Sequence, residues 1–290
     1  MIADFNVAQR DCCETLALAA EVGGVELLVT SPPYPDARTP EQYGGAVFDT
    51  SLEGDGQLGE AVFEALKPGG VCALNIDGPI RVWRPELGES ERSLIAFEVG
   101  LDWAKRIGFR YIERCVYARE GVPGDHGPRW RSGAELVHVF ARPGGEVYFN
   151  KWGKTLPAKL AGIHYSNGGA RRRGGATSRG SWTQAERRML STVISCSVGN
   201  NQTDRDHEAP FAAELADAFV LCYSRPGALV CDPFVGSGTV AYSCHRHGRR
   251  FIGGDLGIRE EHNGKPCGRP WADIINEGLA QQRLFPVGIA

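Results

Sequence analysis

No stretch of this 290-residue chain approaches the roughly 20 consecutive apolar residues that a membrane-spanning helix needs. The opening Met1-Ile2-Ala3-Asp4 lacks the basic segment and apolar run of a secretory leader, so the expected compartment is the cytoplasm. Nine cysteines are present, an odd number, and none forms a C-x-x-C pair, which argues against both a zinc ribbon and a disulfide framework. Cys244, His245 and His247 lie close together but lack the paired spacings of zinc ligands. No metal is expected there, and the three read as a buried cysteine on a helix with a polar end. No internal repeat is apparent, and a formal net charge of −3 does not advertise an anionic partner.

What is present is enough for a substantial core. With 42% hydrophobic residues over 290 positions, the chain can build one large α/β domain plus a small appended module. The charge is also unevenly placed. Nine basic residues and one acid fall between Lys151 and Leu190, a net +8 that leaves −11 on the other 250 residues. A basic island on an acidic body suits a local phosphate-binding surface, although composition alone also fits a solvated insertion.

Val25 to Thr30 is a short β-rich run that stops at Ser-Pro-Pro, and Pro35 to Asp55 is a long connection of the kind that forms lids or binding loops. Leu58 to Leu66 has helical spacing and is expected to stop at Lys67-Pro68-Gly69-Gly70, ahead of a strand over Val71 to Ile76. A helix over Leu94 to Ile107 closed by Gly108, and strands over Tyr111 to Tyr117 and Glu135 to Phe140, follow. Beyond the basic, glycine-rich stretch, the pattern predicts a helix over Phe211 to Leu221, a strand over Ala228 to Cys231, a helix over Val240 to His247 and a strand over Phe251 to Gly254. Strands alternating with helices imply a mostly parallel sheet covered on both faces.

Asp232-Pro233-Phe234-Val235-Gly236-Ser237-Gly238-Thr239 falls between a predicted strand and helix, where open α/β sheets bind ligands. Asp255, at the tip of the next strand, can accept two hydrogen bonds from a ribose diol. Gly236-x-Gly238-x-x-Ala241 also satisfies a dinucleotide fingerprint, so a nicotinamide-dependent oxidoreductase stays open. Charge favours the other cofactor: a carboxylate at Asp232 would repel a pyrophosphate but suits the ammonium and sulfonium of S-adenosylmethionine.

Ser31-Pro32-Pro33-Tyr34 is by itself an ordinary turn at a strand end. It also carries the groups that methylation of a base amine requires. The lone pair of such an amine is delocalised into the ring, so acceptors must hold its N–H groups and favour a tetrahedral nitrogen. Ser31 offers a hydroxyl, Pro32-Pro33 a backbone carbonyl with no competing N–H, and Tyr34 a face on which an extruded base can stack.

Together these motifs resemble the DNA amino-methyltransferases, specifically the permuted beta group in which the catalytic motif precedes the cofactor motif. Thr30-Ser31-Pro32-Pro33-Tyr34 resembles that family's catalytic motif in the serine form associated with N4-cytosine, and Asp232 to Thr239 resembles its D-P-F-x-G-S-G-T motif. His207-Glu208-Ala209-Pro210-Phe211 is similar to H-P-x-P-F with Glu208 in place of the first proline, and Asp255 stands where the family more often has glutamate. The resemblance covers about residues 25–141 and 207–256.

It implies a Rossmann-like S-adenosylmethionine-dependent methyltransferase fold, α/β with a mostly parallel sheet and helices on both faces, plus a small target-recognition insertion. Residues 1–143 would form the catalytic half, 144–205 the basic target-recognition region and 206–290 the cofactor half. Ser31, Pro32, Pro33 and Tyr34 would be catalytic. Thr30, Phe211, Asp232, Pro233, Phe234, Gly236, Ser237, Gly238, Thr239 and Asp255 would hold S-adenosyl-L-methionine. Lys151, Lys154, Arg171, Arg172, Arg173 and Arg179 would contact double-stranded DNA, with Trp152, Tyr165 or Trp182 reaching bases. A homodimer and a cognate restriction endonuclease are further partners the resemblance leaves open. The expected activity is that of a site-specific cytosine-N4 DNA methyltransferase. N6-adenine as target, and a DNA-binding protein with a silent site, remain alternatives.

Overall fold

The computed structural model describes residues 4–33, 57–77, 82–84, 89–120, 133–158, 164–166, 181–183, 185–197, 212–262 and 265–284. Eight strands form the central sheet: β1 (Phe5–Ala8), β2 (Val25–Thr30), β3 (Leu66–Ile76), β4 (Arg110–Glu120), β5 (Ala134–Ala141), β6 (Val193–Ser197), β7 (Leu229–Asp232) and β8 (Arg250–Gly254). Their order is β1-β8-β7-β2-β3-β5-β4-β6. Only β5 runs against the rest, pairing antiparallel with β3 and β4, so the expected mostly parallel sheet is what forms. The helices are α1 (Cys12–Glu21), α2 (Gln57–Ala65), α3 (Ile95–Asp102), α4 (Ala213–Tyr223), α5 (Thr239–Arg246) and α6 (Trp271–Leu284). Among the described residues no helix is long and apolar enough to cross a membrane.

Every residue of β2 is buried, as a central parallel strand covered on both faces requires. Its side chains alternate between two cores. Leu27 and Val29 join Phe219, Val220, Phe251 and Ile275 on the side of α4, α5 and α6. Leu28 joins Leu16, Val62, Leu74, Trp103 and Phe140 on the side of α1, α2 and α3. Each fully buried side chain of this size contributes on the order of 1.5–3 kcal/mol. Glu26 is the exception in composition. It is buried at the strand's start and bonded to Lys67 Nζ at 2.6 Å and to the Arg225 guanidinium at 2.7 Å. Burial alone would raise its pKa, but these bonds, with one from the Arg225 N–H, hold it below the ordinary carboxylate range.

Helix α2 stops at Ala65, ahead of Lys67 as expected, but Lys67 to Gly70 lie within β3, which starts at Leu66 and not at Val71. Leu66 pairs with Val25, while Leu27 pairs with Val71, so the intervening residues form a bulge. Gly69 adopts φ +78°, and its N–H donates to the Arg142 carbonyl at 2.9 Å. The residues that signalled a helix stop therefore bend a strand. Helix α3 does end as expected. It runs into a π turn over Trp103–Ile107 that closes on Gly108 at φ +94°.

The basic stretch is not all peripheral. Thr155–Pro157 pairs antiparallel with Arg187–Met189, and His164–Ser166 with Ser181–Thr183. Val193–Ser197, within the same expected region, is the outermost strand of the central sheet, with Ile194 and Cys196 buried in the core. Its alternation of apolar and polar residues is a strand signal that the surrounding basic composition conceals. Strand β1, helices α1 and α6, and the hairpin of Ile258–His262 with Lys265–Pro270 were likewise not anticipated.

Candidate active site

Strand order reverses between β7 and β2: from β7 the chain proceeds outward through β8, and from β2 it proceeds the other way through β3. Such a switch point leaves a crevice at the carboxyl ends of the two strands. Here those ends are Thr30 and Asp232, and they are bonded. The Thr30 hydroxyl donates to Asp232 Oδ1 at 2.7 Å, with both residues buried. Ser31 and Pro33 follow half-buried, with Pro32 buried between them. Ser31-Pro32-Pro33 and the glycine-rich loop that starts at Asp232, some 200 positions apart in the chain, thus meet at one strand-end crevice. Thr30 acts here as the partner of Asp232.

The glycine-rich loop is held by its own carboxylates. Asp232 Oδ1 also accepts from the Phe234 N–H at 3.0 Å, folding the chain back over the strand end. Asp255 closes the other side: Oδ2 accepts from the Gly236 N–H at 2.7 Å, and Oδ1 from the Gly257 N–H at 2.7 Å. Gly236 and Gly238 both have positive φ, +51° and +88°. A Cβ at Gly238 would also lie 2.7 Å from Ile275 Cγ1 on α6. Ser237 and Thr239 are buried at the start of α5, and Phe234 lies half-exposed.

Asp232 has the most perturbed acid of the crevice. Burial pushes its pKa up to about 7; the bonds from Thr30 and Phe234 pull it back, and the nearby charge of Asp255 adds to the rise. A carboxylate in this position gains most from a cationic ligand and rejects an anionic one. The ammonium and sulfonium of S-adenosylmethionine fit it, and a pyrophosphate does not. Cys72 and Cys231, on the strands beside it, have thiols pushed up by burial and are not nucleophiles.

Comparison with known proteins agrees with this geometry. The DNA methylase family with N6 and N4 amino specificities matches residues 25–262. The chain belongs to that family. An orphan methyltransferase of Bacillus amyloliquefaciens, M.BamHII, is 24% identical over 266 residues, 88% of either chain. Among solved structures, the cytosine-N4-specific PvuII DNA methyltransferase superposes with a TM-score of 0.60 at 17% identity, covering 97% of this chain and 94% of that one. The M1.HpyAVI–SAM complex does so with a TM-score of 0.57 at 13% identity, covering 95% and 98%. These two establish the fold: Rossmann-like, of the S-adenosylmethionine-dependent methyltransferases. The methyl donor is S-adenosyl-L-methionine and the substrate is DNA.

Of the other expected site residues of this DNA methylase, Lys151, Trp152 and Lys154 do not converge on the crevice. Lys151 and Trp152 lie beside the carboxyl end of α4, where the Asn150 N–H donates to the Cys222 carbonyl. That helix leads into the start of β7, so both are at the end of the sheet opposite Ser31. Lys154 Nζ is 3.4 Å from Asp217 Oδ2. Asp217 also accepts from Ser243 and His247, at 2.6 and 3.0 Å, and these partners outweigh burial to hold its pKa well below the carboxylate range. His247 thus serves helix packing, beside the buried Cys244. Tyr34, Phe211, Arg171, Arg172, Arg173 and Arg179, and the loop from Pro35 to Asp55, fall outside the described residues.

Two polar groups near the crevice were not among the expected site residues. Arg10, after β1, donates to the Gly253 carbonyl at 3.2 Å and to Asn6 Oδ1 at 2.7 Å. Asp77, just past β3, pairs with Arg92 at 2.6 Å. Arg10 stands in no recognisable motif, and Asn75-Ile76-Asp77, which resembles the family's junction at this strand, gave Asp77 no site role. The sheet order, which brings the ends of β1 and β3 toward the crevice, is what places both near it.

Proposed function

We propose that this DNA methylase transfers a methyl group to the exocyclic N4 amine of cytosine in duplex DNA, with the target base extruded into the crevice. The observation that carries the reading is the Thr30–Asp232 hydrogen bond, which sets Ser31-Pro32-Pro33 against the carboxylate suited to the donor's cationic end. Bound S-adenosylmethionine supplies an electrophilic methyl group and, on losing it, becomes a neutral thioether. The chain's residues do the positioning. Asp232 is assigned to orient the donor, and Asp255, fixed by Gly236 and Gly257, is assigned to accept from the ribose.

Ser31 Oγ and a carbonyl of Pro32-Pro33 accept the two amine hydrogens, and Tyr34 stacks on the base. This would aim the nitrogen lone pair at the methyl group that a bound donor would supply for in-line transfer, and the proton the amine loses would pass to water. The hydroxyl at Ser31, in place of a carboxylate or amide, favours cytosine over adenine. Arg171, Arg172, Arg173 and Arg179, in the region assigned to target recognition, are assigned to phosphate contacts.

Nucleoside mass spectrometry of DNA treated with the enzyme and labelled donor checks the target. N4-methylcytosine is expected, and N6-methyladenine in its place would overturn the assignment. Ser31→Ala should lower turnover by about 100-fold, the scale of losing one hydrogen-bonding group that acts in the transition state, while donor affinity stays within about twofold. Unchanged turnover would remove Ser31 from the mechanism.

A further inference from the structure

The carboxyl ends of β7, β8 and β1 lie side by side on one side of the crevice, and one side chain ties two of them together. Arg10 follows the end of β1. Its Nη2 donates to Asn6 Oδ1 on β1 at 2.7 Å and to the Gly253 carbonyl on β8 at 3.2 Å. Gly253 is the register partner of Asp232, and Gly254 and Asp255 come directly after it. The Gly254 carbonyl accepts from the Val235 N–H of the glycine-rich loop at 3.1 Å, and the Asp255 N–H donates to the Ala8 carbonyl at 3.3 Å. Arg10 can lie this close because residue 254 is a glycine: a Cβ there would meet Thr15 Oγ1 and lie 3.0 Å from Arg10 Cγ.

A guanidinium is costly in this place. It is half-buried, and burial lowers its pKa. Its Nε is buried without a hydrogen-bond partner, and among the described residues no carboxylate forms an ion pair with it. A neutral side chain would cover the same strand end at lower cost. What the guanidinium adds is a hold on the end of β8. That end carries Asp255, whose two oxygens are both engaged, by the Gly236 and Gly257 N–H groups. The carboxylate therefore cannot swing to follow a strand that shifts, and the backbone sets its place.

We infer that Arg10 is a positioning residue for the methyl donor: by tying the Gly253 carbonyl to β1 it fixes the Gly253-Gly254-Asp255 step, and with it the reach of Asp255 to the donor's ribose. Arg10 touches neither the donor nor the base and acts through Asp255. The inference rests on the ribose role proposed for Asp255 and does not depend on which base is methylated.

A double-mutant cycle read by calorimetric titration with S-adenosylmethionine, without DNA, tests it. Arg10→Met keeps the aliphatic stem against Gly254 and removes only the hydrogen-bond donors. It should weaken donor binding by about tenfold, the scale of losing a hydrogen bond to a charged group, while turnover at saturating donor stays within about twofold. Arg10→Lys, whose ammonium can still reach a carbonyl, should recover most of the loss. Asp255→Ala should also weaken binding, and adding Arg10→Met to it should cost no more than about a further twofold. An equal Arg10→Met loss in both backgrounds, no loss in either, or a lysine no better than methionine would overturn the inference and leave Asp255 on the ribose. Unchanged affinity in Asp255→Ala would instead remove the ribose assignment beneath it. Melting curves of the donor-free variants confirm that each is folded.

Discussion

Asp232 is a carboxyl group kept out of water at the end of β7, beside the proposed site of a cationic donor, and its proton is correspondingly hard to remove. Its folded pKa of about 7 lies above the ordinary aspartate value, so the folded chain binds this proton more tightly than the unfolded chain does. The sign follows from linkage. Through the window from about pH 4 to about pH 7, the donor-free protein loses stability as pH rises, because the unfolded state ionises first. A cationic ligand reverses the preference. Donor affinity should therefore rise with pH up to about 7 and then level off, with proton release on binding below that value. Isothermal calorimetry in buffers of different ionisation enthalpy reads that release directly. Asp232→Asn should abolish it and weaken donor binding by about 10- to 100-fold, the loss expected for a charge-assisted contact. A pH-independent affinity in the wild-type protein would show that Asp232 is already ionised before the donor arrives.

At the scale of elements, the loop from Asp232 to Thr239 depends on α6 as much as on its own glycines. Gly238→Ala places a methyl group 2.7 Å from Ile275 Cγ1 and forces an alanine to φ +88°. The expected cost is about 1–3 kcal/mol, seen as a lowered melting temperature, together with weakened donor binding because the first turn of α5 must shift. An unchanged melt would mean that α6 yields at no cost. This contact also shows the limits of the sequence. The glycine motif announces a tight turn, but not the helix that presses on it, because α6 follows it by more than thirty residues and carries no matching pattern. Strands β2, β7 and β8 and helices α4 and α5 were legible because each is short, apolar and punctuated by glycine, proline or serine. The Thr30–Asp232 bond was not, since it arises only when β2 and β7 become neighbours. At the bulge of Lys67 to Gly70, local turn chemistry was overridden by pairing with β2.

Across the whole molecule, charge and architecture separate two tasks. The crevice is built from strands that precede residue 143 or follow residue 212, while the positive charge concentrates between Lys151 and Leu190. Lys151 and Lys154 stand at the far end of the sheet, so the proposed phosphate contacts are assigned to the part of that segment carrying Lys159, Arg171, Arg172, Arg173 and Arg179. The fold offers a place to remove it. Thr155–Pro157 and Arg187–Met189 are paired strands, and the Ala158 N–H donates to the Glu186 carbonyl at 2.8 Å, so the chain leaves and returns at adjacent points. Replacing residues 159–184 with a short Gly–Ser turn deletes five positive charges and no acid. The trimmed chain should keep its melting temperature to within about 2–4 °C, equivalent to about 1 kcal/mol for a domain of this size, and should still bind S-adenosylmethionine. Its DNA affinity, followed by fluorescence anisotropy against salt, should lose much of its dependence. Five neutralised phosphates correspond to a decrease of about 4.5 in the slope of log K against log salt. An unchanged slope would place the phosphate contacts elsewhere on the body and make the basic island a solvated insertion.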